Sequence, residues 1–197
     1  NKPIRFKYKI IIPLMMQINL VTSNLGKVKE FKAILNNSIK INHIKMEYRE
    51  LRSDNPEEIA KESAKRLAEE LKIPVVVEDS GLFIKALNDF PGTCSSYIHK
   101  RIGLKGILKL MENVDDRTCY YKSAVGYCEP SKEPISFLGE EKGKVAEEIK
   151  GIHGFGHDPI FIPEGSKKTY GETENCETIK KFRRIAVEKL KEYLEQG

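Results

Sequence analysis

Two carboxylates, a hydroxyl and a glycine stand together at Glu78-Asp79-Ser80-Gly81, directly after the β-branched run Val75-Val76-Val77. Acids at the end of a buried strand suit metal binding or proton abstraction, and strand ends are the usual mouths of sites in open α/β sheets. Neighbouring strand residues face opposite ways, so one of Glu78 and Asp79 can serve a site while the other braces it. Ser80 adds a donor and an acceptor, and Gly81 lets the backbone turn or approach a ligand closely. A second group, Thr22-Ser23-Asn24-Leu25-Gly26-Lys27, combines hydroxyls, an amide, a glycine and a cation. Between a strand and a helix, those types describe a phosphate cradle: capping side chains, outward N–H groups and the charge of Lys27. It is not a Walker A loop, which needs glycine at position 21 and Ser or Thr at 28, where this chain has Val21 and Val28. A third group, Gly151 to Pro159, sets three glycines around Phe155, a pattern for backbone approaching a flat ligand stacked on the ring. His153 and His157 lie four apart, but the glycines and Pro159 oppose the helix that would aim both at one metal.

These groups need elements to hold them. Ile18 to Val21 reads as the first strand, and Val28, Phe31, Ile34 and Leu35 recur at helical spacing behind the cradle. His43 to Met46 predicts a second strand, and the connection after it carries Glu50, free to reach a site. Asp54-Asn55-Pro56 opens a helix whose stripe is Ile59, Ala60, Ser63, Ala64, Leu67, Ala68 and Leu71. Further on, the spacing predicts a short helix from Leu104 to Met111 and a hairpin from Cys119 to about Phe137. Strands are expected over Lys144 to Ile149 and Ile160 to Pro163. From Thr178 the tail reads as a helix with Ile179, Phe182, Ala186, Leu190 and Leu194 on one face. Strands alternating with helices predict an α/β fold.

The chain of 197 residues, 40% hydrophobic and 32% charged, has length for one core and a composition that excludes a disordered protein. Residues 17–197 read as a single domain, with 1–16 as an N-terminal extension in which Met15 or Met16 is the expected original start. The net charge of +5 favours an anionic ligand, yet basic and acidic residues interleave without a block that would track nucleic acid. No apolar stretch reaches membrane-spanning length. Four cysteines without a C-x-x-C pair point away from a disulfide framework or structural zinc, and towards a reducing cytoplasm.

With Thr-Ser-Asn-x-Gly-Lys, Glu-Asp-Ser-Gly-Leu, Phe-Pro-Gly and Gly-Phe-Gly-x-Asp-Pro-Ile-Phe in that order, the chain resembles the inosine triphosphate pyrophosphatase family, from about Gln17 to Leu194. The resemblance implies Mg²⁺-dependent hydrolysis of deaminated purine nucleoside triphosphates (ITP, dITP, XTP) to the monophosphate and pyrophosphate. It implies a homodimer, and a long mixed twisted sheet flanked by helices, with a cleft between two lobes. By position, Thr22, Ser23, Asn24, Leu25, Gly26 and Lys27 fall to the triphosphate, and Glu50 and Asp79 to the metal, with Asp79 also the general base. Ser80 falls beside the substrate, Phe155, Gly156, His157 and Asp158 around the base, and Arg183 at its 6-oxo group. Phe182 stands where the family carries a histidine, and Lys180 or Lys181 takes the place of a substrate-binding lysine. A pyrophosphatase with relaxed or shifted base specificity, or a non-catalytic nucleotide-binding dimer, are the alternatives that this departure opens.

Overall fold

In the computed structural model residues 16–196 are described, so the expected extension over 1–16 lies outside the described residues except for Met16. Met16 is joined to the sheet, its carbonyl accepting from the Lys40 N–H at 2.8 Å. Strand β1 (Gln17–Val21) leads into helix α1 (Leu25–Leu35), and β2 (Lys40–Ile44) into α2 (Pro56–Leu71). Both helices start where capping chemistry dictates. Asn24 Oδ1 accepts from the Gly26 and Lys27 N–H groups, and Asn55 Oδ1 from Glu57, with Pro56 in the first turn. Strand β3 (Val75–Ile84) is followed by the two-residue β4 (Pro91–Gly92), helix α3 (Ser95–Leu110) and the long hairpin β5 (Thr118–Cys128) and β6 (Ile135–Val145). Short β7 (Phe161–Pro163) and helix α4 (Lys181–Gln196) complete the order.

The seven strands form one mixed sheet in the order β2-β1-β3-β5-β6-β7, with β4 beside β3. β1 runs parallel to β2 and β3, whereas β5, β6 and β7 pair antiparallel. Alternation along β3 sends Val76 to a core with Val28 and Phe31 of α1 and Ala186 and Leu190 of α4. Val75 and Val77 go to the other face, against Ala60, Ala64 and Leu67 of α2. A third core at the far end joins Leu82, Ile107, Tyr121, Phe161 and Phe182.

The sheet corrects where the central acids sit. Glu78 to Gly81 do not follow the end of a strand; they lie in the middle of β3, paired with β5 from Val75–Cys128 through to Ile84–Cys119. What ends is the neighbour. β1 pairs with β3 at Leu20–Val76, and β4 takes up the same strand only at Leu82–Gly92 and Phe83–Pro91. Between them this edge of β3 has no strand partner among the described residues, and the gap becomes a groove.

Four further expectations change. The second strand begins at Lys40 and ends at Ile44, where the parallel pairing with β1 stops. The stretch from Lys144 contributes only Lys144 and Val145, as the end of β6; the Ala146 N–H turns to the Ile160 carbonyl, and Arg117 donates to the Val145 and Ala146 carbonyls. The expected short helix begins earlier, at Ser95, and breaks at Gly103 (φ 62°, ψ −169°), a conformation open to glycine. Ile179 precedes α4 and is exposed, off its apolar face.

Gly81 shows how tightly the groove floor is built. A Cβ there would fall well inside the Gly92 carbonyl oxygen, which is backbone and cannot swing away. Gly81→Ala is therefore expected to lower stability by about 1–3 kcal/mol, read as the midpoint of urea unfolding. An unchanged midpoint would contradict the close approach.

Candidate active site

A cavity of about 470 Å³ opens at the unpaired edge of β3. Its walls come from the turn before α1, the segment after β2, the first turns of α3, the loop holding Phe155 and the start of α4. Asp79 faces it, 6% exposed, with Oδ2 buried and lacking a hydrogen-bond partner among the described residues. Burial, resisted by Lys27 and reinforced by Glu50 and Glu78, pushes the Asp79 carboxyl up to about 7. Glu50 is exposed and lines the same cavity, so two acids 29 positions apart in the sequence share one space and feel each other's charge. Tyr48, also in the wall, has its phenol pushed far up by burial and by the charges of Glu50, Glu78 and Asp79.

Glu78 points to the opposite face and takes the bracing role. Lys27 Nζ lies 2.8 Å from its carboxylate and donates to its carbonyl at 2.6 Å. Ser123 Oγ donates to the carboxylate, and Arg183 Nε does so at 3.0 Å. Lys27 is thus held by a carboxylate as well as lining the cavity. The cradle differs from expectation in the same way. Asn24 Oδ1 takes the Gly26 and Lys27 N–H groups at 2.9 and 3.3 Å, and Thr22 Oγ1 takes that of Asn24 at 3.1 Å, so these donors turn inward. Thr22, Ser23 and Asn24 line the cavity; Leu25 is 64% exposed and Gly26 lies under the Phe155 ring, and neither lines it.

The remaining expected residues meet around a buried ion network. Glu30, on α1, accepts from both Lys180 Nζ and Arg183 Nη1. Lys180 also donates to Asp158 at 2.6 Å, and Arg183 Nη2 donates to Ser80 Oγ at 2.8 Å. Asp158 in turn accepts from the Phe155 N–H at 2.6 Å, which shapes the glycine-rich loop. Phe155 lies with Lys180 Nζ 4.6 Å from its ring centroid. Phe182 is 2% exposed and stacks on Tyr121, centroids 4.6 Å apart, as part of the far core and the cavity wall. Of the two lysines, Lys180 is in the cavity wall; Lys181 is exposed and gives its N–H to Glu141, which caps α4. His157 is buried, its Nε2 without a partner among the described residues, edge-on to His99 at 5.2 Å, and burial first, then His99, lowers it to about 4. Gly156 lines the cavity beside it, whereas His153 is exposed and elsewhere.

Sequence reasoning missed Glu30, Tyr121 and the first turns of α3 with Ser96, His99 and Lys100. Glu30 had a signal: it is an acid three residues after Lys27, on the side of α1 that turns inward. Glu30→Ala would leave Lys180 and Arg183 buried with too little negative charge. A loss of about 3–5 kcal/mol in urea unfolding is expected, far above that of a surface acid. A loss under about 1 kcal/mol would mean that the network is not structural.

The chain matches the model of the Ham1 family over residues 18–193. It is 50% identical over 158 residues to a dITP/XTP pyrophosphatase of Methanopyrus kandleri, covering 80% of this chain and 84% of that one. A dITP/XTP pyrophosphatase of Methanosarcina acetivorans is 44% identical over 181 residues, 91% of this chain and 97% of its own. Among solved structures, a HAM1 protein from Coxiella burnetii superposes with a TM-score of 0.80 at 27% identity, covering 93% of this chain and all of the other. The family model spans the cradle, the central acids, the glycine-rich loop and Arg183 alike, and the chain belongs to the Ham1 family.

Proposed function

We propose that this chain hydrolyses deaminated purine nucleoside triphosphates such as dITP, ITP and XTP to the monophosphate and pyrophosphate. One observation carries the reading: a buried carboxylate, Asp79, with an oxygen that no group among the described residues satisfies, facing a cavity that it shares with Glu50 and Lys27. A group held near 7 suits a base at neutral pH. In the proposed reaction Asp79 takes a proton from water, the water oxygen bonds to the α-phosphorus, and the bond from that phosphorus to the bridging oxygen breaks. Pyrophosphate leaves with the electron pair. The side chains of Thr22, Ser23, Asn24 and Lys27 line the cavity on the side of the phosphates, and Ser80 follows Asp79 on the strand.

Magnesium fits the acids present. Two carboxylates, one with a free buried oxygen, match an ion that prefers one or two protein carboxylates and completes its shell with phosphate oxygens and water. When bound, it would supply positive charge against the phosphate oxygens, held by Glu50 and Asp79. A homodimer in a reducing cytoplasm belongs to the same proposal; all four cysteines are unpaired, and among the described residues no helix is long and apolar enough to cross a membrane.

Base choice rests on donors facing a 6-oxo group, where the amino group of adenine would leave donor against donor at about 1–3 kcal/mol per unpaired group. Relaxed specificity is a second reading with its own observation. Arg183 already spends donors on Glu30, Glu78 and Ser80, and Phe182 is locked against Tyr121, so fewer groups remain to read the base.

Asp79→Asn is expected to lower kcat by about 10² or more while the fold persists, since it removes the base; near-normal turnover would contradict the role. In the metal-free protein the same change is expected to raise Tm at pH 8. A carboxyl whose folded pKa is raised to about 7 binds more protons folded than unfolded, so its contribution falls as pH climbs from about 4 to about 7. An equal Tm for both proteins at pH 8 would place Asp79 in a wetter setting. A kcat/KM panel over XTP, dITP, GTP and ATP is expected to favour the deaminated bases by less than about 10³, and a preference above about 10⁴ would show that the remaining donors suffice.

A further inference from the structure

A triphosphate brings about four negative charges into a site, and each needs a positive partner. Four cations line the cavity: Lys27, Lys100, Lys180 and Arg183. Three of them are already matched by buried carboxylates, Lys27 with Glu78, Lys180 with Glu30 and Asp158, and Arg183 with Glu30 and Glu78. Those three cations and three acids balance, so the network offers an incoming anion no net charge. Lys100 is different. It is exposed, lines the cavity, and among the described residues makes no ion pair or hydrogen bond.

The fold aims this lysine. Ser95 fastens the start of α3 to the groove floor, its Oγ accepting from the Leu82 N–H at 2.8 Å and donating to the Gly92 carbonyl at 2.7 Å. Gly103 then breaks the helix, so the segment from Ser95 to Ile102 takes its own direction, apart from the turns that bury Ile107 in the core. Ser96 and Lys100, four residues apart on one face, both line the cavity, and His99 between them rests against His157. We propose that Lys100, with Ser96 one turn before it, forms the subsite for the outer two phosphates and for the pyrophosphate product. This rests on the pyrophosphatase reading and adds to it a binding residue for the leaving group.

Inorganic pyrophosphate is the probe. Its binding to the full chain with magnesium is measured by calorimetry and as product inhibition, for the native protein, Lys100→Gln, Lys100→Arg and Lys105→Gln. Lys105 is exposed on the second half of α3, outside the cavity wall, and its variant serves as the charge control. Lys100→Gln is expected to weaken pyrophosphate about tenfold or more and to raise KM for the triphosphate with kcat within about threefold. Lys100→Arg is expected to keep most of the affinity, and Lys105→Gln all of it. Pyrophosphate binding by Lys100→Gln within twofold of native would overturn the subsite, whatever the hydrolysis assay gives. Loss of binding in Lys100→Gln alongside a native protein that cleaves no nucleoside triphosphate would instead leave the subsite standing and remove the pyrophosphatase reading.

Discussion

Six charged side chains, five of them buried, hold this site together. Lys27, Lys180 and Arg183 face Glu30, Glu78 and Asp158, and the network ties α1, β3, the glycine-rich loop and α4 to one another. Taking such groups out of water costs several kcal/mol per ion, and only close pairing with hydrogen bonds on the remaining atoms offsets that. Every member therefore constrains the others. Arg183 is fixed by Glu30 and Glu78, Lys180 by Glu30 and Asp158, and Asp158 by its bond to the Phe155 N–H. The loop that bears Phe155 and His157 is thereby placed relative to the strand that bears Asp79.

Against this neutral frame Asp79 stands apart. It lies on the sheet face opposite Glu78, where its neighbours are Glu50 and the Tyr48 phenol, and one oxygen has no hydrogen-bond partner among the described residues. A buried acid in that state weakens the protein and is retained where function uses it. The groove exists because β1 stops short while β3 continues, so a strand interior does the work usually given to a strand end.

Much of this was legible in the sequence, for identifiable reasons. Pro56 after Asn55, the apolar stripe of α2 and the β-branched start of β3 are local signals, and local chemistry settled them. The division of Glu78 and Asp79 between bracing and facing followed from strand alternation alone. Other features depend on partners distant in the chain. That β3 runs on past its acids is decided by β5, 35 to 43 residues later in the chain, and the inward turn of the cradle donors is decided by the Asn24 side chain. Phe182 was readable both as a substrate residue and as packing; the ring of Tyr121 puts it in the core. Glu30 carried the weakest signal, because a charged residue in a helix is usually solvated and its two cations lie some 150 positions later.

The chemistry assigned to Asp79 has a direct test in the fate of the water oxygen. Turnover of dITP or XTP in water enriched in heavy oxygen, followed by mass spectrometry of the products, shows which phosphorus is attacked. Label in the nucleoside monophosphate, with unlabelled pyrophosphate, is the expected result. Label in pyrophosphate, or release of a nucleoside diphosphate with labelled phosphate, would contradict attack at the α-phosphorus.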